Sequence, residues 1–234
     1  MSFSDRVIAF NRGLTYTGKK LPKDIRVMNP YREDPQALKI SEAFYHKFYN
    51  DNQIRLLILG INPGRFGGGL TGVPFTDPKR LISACHIPYE GKITHEPSSV
   101  FIYEMIHAYG GPKAFYQDLY INSICSLGFT LVKENGKEKN YNYYDSPELL
   151  KAVEGFNREN IQRQIELGVS TEVCFCFGTG KNETYLRKLN ETYGFFKKIV
   201  GLEHPRFIMQ YKAAQKQSYI DKYLEAFASA RALI

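Results

Sequence analysis

Residues 60–75, GINPGRFGGGLTGVPF, bring one amide, two aromatic rings and six glycines into a single short stretch. It follows directly on an apolar run, Leu56–Leu59. Glycine lets backbone approach a ligand closely and take φ > 0, whereas Pro63 and Pro74 fix φ and remove donors. The combination predicts a rigid pocket wall. In such a wall Gly60, Ile61, Gly64 and Gly68 give close backbone approach, Phe66 and Phe75 offer flat faces, and Asn62 supplies an amide. Other chemistries are excluded by spacing. There is no G-x-x-x-x-G-K-[ST], and Asn62-Pro63 stands where G-x-G-x-x-G needs its central glycine. FGTGKN at 177–182 also lacks phosphate-loop spacing and reads as a strand-to-helix turn. No G-x-S-x-G nucleophile is present.

These residues need elements to hold them. Four apolar runs read as buried strands: Arg55–Leu59, Leu119–Asn122, Glu172–Phe177 and Ile199–Leu202. Helical periodicity marks Pro35–Tyr49, Val100–Tyr109, Ser146–Leu167, Lys181–Thr192 and Ala213–Ala232. Ser146-Pro147 is a strong helix start, and Gly168 suits a helix end. Short buried strands alternating with helices predict a parallel sheet covered on both faces. Ligands then bind beyond the carboxyl ends of the strands. INPGRFGGG, YINS, FGTGKN and LEHPRF all fall at those ends. The polar segment Lys133–Asp145 reads as a mobile or binding insertion.

The 234 residues read as one domain, 1–234, with 43% hydrophobic residues to fill one core. No apolar run is long enough to span a membrane. The N-terminus lacks the apolar core of a secretory signal, and Asp5 argues against a transit segment, so a cytoplasmic location is expected. Cysteines 85, 125, 174 and 176 form no C-x-x-C pair, and no histidine has zinc-finger spacing. They read as small buried side chains, and no metal or cofactor is expected. The net charge is +7. From Lys197 to Lys222 six cationic residues meet two acids, which favours phosphate partners.

GINPGRFGGGLTGVPF resembles the first motif of the single-strand-selective monofunctional uracil-DNA glycosylases, G-M-N-P-G-P-F-G-x-x-x-T-G-V-P-F. HPRF at 204–207 is similar to the start of their second motif, His-Pro-Ser-Pro-Arg. YINSIC at 120–125 sits where that family has a base-reading asparagine, and VMNPYRED at 27–34 is similar to a segment upstream of the first motif. The likeness runs from about residue 27 to the C-terminus, in order. It departs after His204-Pro205, where Ser-Pro is missing, and at Gly68 and Gly69, where bulkier residues are usual. It is that of a divergent branch.

The resemblance implies a three-layer α/β/α sandwich with a short central parallel four-stranded sheet. It implies a monomeric glycosylase that acts on DNA with a flipped-out deaminated base, chiefly uracil. Rival readings are a glycosylase preferring xanthine or hypoxanthine, and a non-catalytic DNA- or nucleotide-binding module. Asn62 and His204 carry catalysis in this reading: Asn62 orients water without being a strong base, and His204 donates to the base O2 as charge develops. Phe75 stacks on the base and Asn122 reads it. Arg206, Phe207 and Met209 wedge into the space the base leaves, and Lys212 and Lys216 track phosphates. No lysine or terminal amine is evidently placed for a Schiff base, so no lyase activity is expected.

Overall fold

A computed structural model describes residues 1–234. In chain order the elements are α1 (Phe3–Arg12), β1 (Ile25–Met28), α2 (Pro30–Glu33), α3 (Pro35–Phe48), β2 (Leu56–Gly60), α4 (Gly68–Thr71), α5 (Pro78–Ser83), α6 (Pro97–Ala108), α7 (Pro112–Asp118), β3 (Leu119–Ser123), β4 (Gly128–Val132), β5 (Glu138–Tyr141), α8 (Pro147–Ile165), β6 (Val173–Phe177), α9 (Lys181–Tyr193), β7 (Lys198–Leu202), α10 (Pro205–Tyr211) and α11 (Lys216–Arg231).

The central sheet has the order β3-β2-β6-β7 and is wholly parallel. β2, β3 and β6 are buried along their whole length, as strands covered on both faces must be. Strand alternation divides β6. Phe175 and Phe177 meet Tyr223 and Phe227 of α11 on one face. Cys176 faces the other way, with its Sγ 3.4 Å from Asn182 of α9. At the β3 end, Phe3 of α1 with Tyr45 and Tyr49 pack around Tyr120. The expected three-layer α/β/α sandwich with a four-stranded parallel sheet is therefore present, and its strands match the predicted runs to within a residue. Ser146 Oγ caps α8 by accepting from Leu149 N–H at 3.1 Å.

The segment Lys133–Asp145, expected as a mobile or binding insertion, contains regular structure. Lys133 N–H donates to Lys137 C=O at 2.9 Å to close a turn, and Glu138–Tyr141 then pairs antiparallel with β4. With β1 these strands make a second, three-stranded sheet, order β1-β4-β5. Its polar outer residues hide it from a reading that looks for apolar runs, because one face of an antiparallel sheet can face water. α1 was also unforeseen. Ser2 and Asp5 cap it reciprocally, and Phe3, Val7 and Phe10 anchor it in the core.

Candidate active site

β2 ends at Gly60, and the loop that follows turns back to place Phe75 against it. Phe75 takes φ 54°, in the left-handed region that aromatic residues avoid. Such strain persists only where the surroundings impose it. Here buried Thr71 does so: its Oγ1 donates to Thr76 C=O at 2.7 Å and accepts from Val73 N–H at 3.2 Å. The Phe75 ring stands edge-on to Phe177, centroids 5.6 Å apart, and 5.7 Å from the His204 ring.

This loop, the end of β3, the segment after β5 and the start of α10 enclose a pocket of about 280 Å³. Ile61, Asn62, Gly64, Gly68, Phe75, His204, Arg206 and Phe207, all expected from the sequence, line it together.

Asn62 is held from both ends of its amide. Its Oδ1 accepts Tyr143 N–H at 3.1 Å, and its Nδ2 donates to Tyr141 C=O at 3.2 Å. The end of β5 and the turn after it thus fix a side chain of the loop after β2. One lone pair on Oδ1 remains for a ligand or water.

His204 is the N-cap of α10, and its Nδ1 accepts Arg206 N–H at 3.1 Å. An accepting Nδ1 leaves the ring proton on Nε2, so the imidazole is a donor. Burial, and then the charge of Arg206, lower its pKa to about 4. It is therefore neutral at neutral pH.

The structure places several of the expected residues away from the pocket wall. Asn122 does not line the pocket: its Nδ2 donates to Tyr120 Oη at 2.8 Å and its Oδ1 accepts Ser123 N–H at 2.8 Å. Strand alternation puts Ser123 on the pocket side instead. Phe66 is 49% exposed beneath the Arg65 guanidinium and off the pocket wall. Gly60 makes room for the Phe75 ring without lining the pocket. Gly69 does not widen the pocket either, since a Cβ there would meet Gly64 O and Met28. Met209 is partly buried against the core and does not line the pocket. Lys216 is paired with Glu104 at 2.5 Å. Lys212 follows α10 as its C-cap.

The pocket also holds residues that sequence reasoning missed. Asn140, Asn142 and Tyr144 line it at a spacing of two. The alternation Asn140, Asn142 was the available signal for the first two, because an extended segment sends every second side chain to one side, whereas Tyr144 is brought in by the turn that follows β5. Burial pushes the Tyr144 hydroxyl up to about 12. Glu96, N-cap of α6, contributes a carboxyl. Burial, reinforced by Asp77 and opposed by Arg206, raises it to about 7. Gln210 and Tyr211 complete the mouth beside Phe207, whose ring lies 5.5 Å from that of Tyr211.

Comparison with known proteins bears on what this pocket does. The profile of the Uracil DNA glycosylase superfamily matches residues 46–228. Among solved structures, the chain is similar to wild-type SMUG2 of Pedobacter heparinus, with 65% identity, a TM-score of 0.97 and 99% of each chain covered. No curated protein matches.

Proposed function

The chain belongs to the uracil DNA glycosylase superfamily and is a DNA glycosylase, and from that premise we propose that it hydrolyses the N-glycosidic bond of uracil in DNA. The observation that carries this reading is the convergence of Phe75, Asn62 and a neutral His204 on one pocket.

A glycosylase must reach C1′ of a stacked nucleotide, so the base is extruded from the DNA into the pocket. Phe75 stacks on its flat face. The ring is held by Gly60, Phe177 and its own constrained backbone, so little freedom is lost on binding. Ser123 presents a hydroxyl to the base edge, free to serve as donor or acceptor because only its backbone is engaged in the fold.

Bond cleavage leaves positive charge on the sugar and negative charge on the base. His204 Nε2–H donates to the base oxygen as that charge develops, acting like an oxyanion donor. Because the ring is neutral, and neutral imidazole is a very weak acid, His204 donates a hydrogen bond without transferring its proton. Asn62 Oδ1 orients the water that attacks C1′. The reaction in this reading is direct hydrolysis, without a Schiff base.

Arg206, Phe207 and Tyr211 at the mouth contact the DNA around the extruded nucleotide, and the enzyme acts as a monomer in base excision repair. A second reading, excision of xanthine or hypoxanthine, is compatible with a pocket of about 280 Å³.

The test is incubation with oligonucleotides carrying uracil, xanthine or hypoxanthine, followed by detection of abasic sites. Uracil release is expected. Release of a purine alone would replace the first reading by the second, and binding without any abasic site would leave a non-catalytic module.

A further inference from the structure

Hydrolysis consumes a water molecule, and its proton must go somewhere. The pocket's ionisable side chains are Glu96, Tyr144, His204, Arg206 and Tyr211. Arg206 is a permanent cation, and phenols are protonated at neutral pH. His204 has its Nδ1 occupied and resists protonation. Asn62 is an amide and cannot accept the proton. Glu96 is the remaining group.

Its placement fits the task. Glu96 Oε1 lies 3.3 Å from the point where a Cβ on Gly64 would stand, and Asn140 Nδ2 lies 3.4 Å from the same point. A carboxylate acceptor and an amide donor therefore both approach Gly64, and Asn62, Gly64, Glu96 and Asn140 line the same pocket. A Cβ on Gly67 would overlap Glu96 Oε2, so a second glycine seats the carboxylate. Asn140 is itself anchored, its Oδ1 accepting Arg65 N–H at 3.1 Å and Nε–H at 3.3 Å. That orients its NH2 towards the pocket. No ion pair holds the Glu96 carboxylate, although its backbone N–H donates to Asp77 Oδ2 at 2.8 Å.

We propose that Glu96 is the general base of the hydrolysis, taking the proton of a water held above Gly64 between Glu96 Oε1, Asn140 Nδ2 and Asn62 Oδ1. The inference rests on the glycosidic-hydrolysis reading. The water accepts one hydrogen bond from Asn140 and donates one each to Asn62 and Glu96, leaving a lone pair for C1′. As the C1′–N bond breaks, its electron pair leaves with the base, stabilised by His204 Nε2–H. The water oxygen bonds to C1′, its O–H bond breaks, and the proton passes to Glu96. Glu96 then gives up this proton, by way of solvent, as the departing base anion takes one up, so the carboxylate is restored and the products are a C1′ hydroxyl and the free base.

The surroundings suit a base working near neutrality, where proton transfer is most efficient. Asp77 at the start of α5 repels the carboxylate, and Arg206 of α10 favours it. Asp77 is itself paired with Arg80 at 3.2 Å, and Arg80 also reaches His95 Nδ1 at 2.9 Å. Burial outweighs these charges and sets the raised pKa of about 7.

The experiment is single-turnover cleavage from pH 5 to 9 on whichever base the wild type releases, with abasic-DNA affinity and Tm measured alongside. The wild-type rate rises with pH as Glu96 ionises. Glu96→Gln is expected to lose about a hundredfold or more at pH 8, with the gap closing below pH 6 and abasic-DNA affinity intact. Glu96→Asp keeps the pH-dependent rise at lower amplitude. The proposal is overturned by a Glu96→Gln rate within twofold of wild type at pH 8. It is equally overturned by the same loss at every pH, or by a loss confined to one base, which would make Glu96 a base reader. A wild type that makes no abasic site on any base would sink the hydrolytic reading itself, a result distinct from these.

Discussion

The ring of Phe75 lies so close over Gly60 that a Cβ on Gly60 would come within 2.8 Å of Phe75 Cε2. The last residue of β2 therefore sets the position of the stacking face, through what it lacks.

Gly60→Ala should push the ring into the slot meant for the base. The fold can absorb this at about 1–3 kcal/mol, the usual cost of overpacking. Cleavage should slow at least about tenfold, since small misplacements near the reacting group are costly. Single-turnover kinetics with a folded Gly60→Ala variant checks this, and an unchanged rate would show that the ring does not stack on the base.

Asn62 serves both sheets, so its replacement should have two readouts. Asn62→Ala should slow the chemical step and also release Tyr143 N–H, whose amide exchange should accelerate. Asn62→Asp is no conservative change, because it turns a donor facing Tyr141 C=O into an acceptor. If Asn62→Ala cleaved within about a factor of two of wild type, Asn62 would be only a tie between sheets.

Ser123 and Asn122 should separate by phenotype. Ser123→Ala should alter the relative rates on uracil, xanthine and hypoxanthine while leaving Tm close to wild type. Asn122→Ala leaves the buried Tyr120 hydroxyl without its 2.8 Å partner, costing about 1–3 kcal/mol. It should lower Tm and preserve the base ranking. The opposite pattern would restore Asn122 as the reader.

Salt dependence should distinguish the cations. Each phosphate contact contributes about 0.7–0.9 to the slope of log K against log salt. Arg206→Ala and Lys212→Ala should flatten the slope by about that amount. Lys216→Ala should not, because its ammonium is already paired with Glu104. Arg206→Ala should also hurt duplex substrate more than single strands if the residue helps to hold a vacated stack open.

Glu96 also predicts a pH-dependent stability. Its folded pKa, about 7, is raised above the usual carboxyl value near 4.5. The protonated form is thus favoured by folding, and that stabilisation is fully present below 4.5 and is lost as pH rises through 7. Glu96→Gln stays neutral throughout, so it should melt above wild type at pH 8, by about 2–4 °C for each kcal/mol recovered. The difference should vanish below pH 4.5. A variant melting below wild type at pH 8 would mean that the carboxylate stabilises the fold.

Much of this protein could be read from local pattern. The four central strands are apolar runs because both faces are covered, so Leu56–Leu59 and Val173–Phe177 announce themselves without any partner being known. The glycine-rich stretch after β2 and the histidine after β7 lie at strand ends, which a parallel sheet brings to one edge whatever the details. The slot, Asn62 and His204 were legible for that reason.

Other features depend on contacts between distant segments, which leave no local trace. Whether Asn122 or Ser123 meets the pocket turns on the facing of one strand, and a shift of one residue reverses it. The hairpin β4–β5 is polar where it meets water, yet its last residue and the turn that follows supply the two backbone groups that clamp Asn62 from 79 and 81 residues away. Lys216 looks like a free cation until folding places Glu104 against it. Glu96 is an ordinary acid in the chain. It becomes a candidate base only when burial and Asp77 raise its pKa and the glycines at 64 and 67 leave room for it. Sequence by itself determined the sheet, the pocket's edge and the residue types available there, because those follow from short-range periodicity and chain direction. Tertiary structure decided which side chains face the pocket, which are consumed as ties, and which carry a proton, because facing, pairing and desolvation are properties of neighbours far apart in the chain.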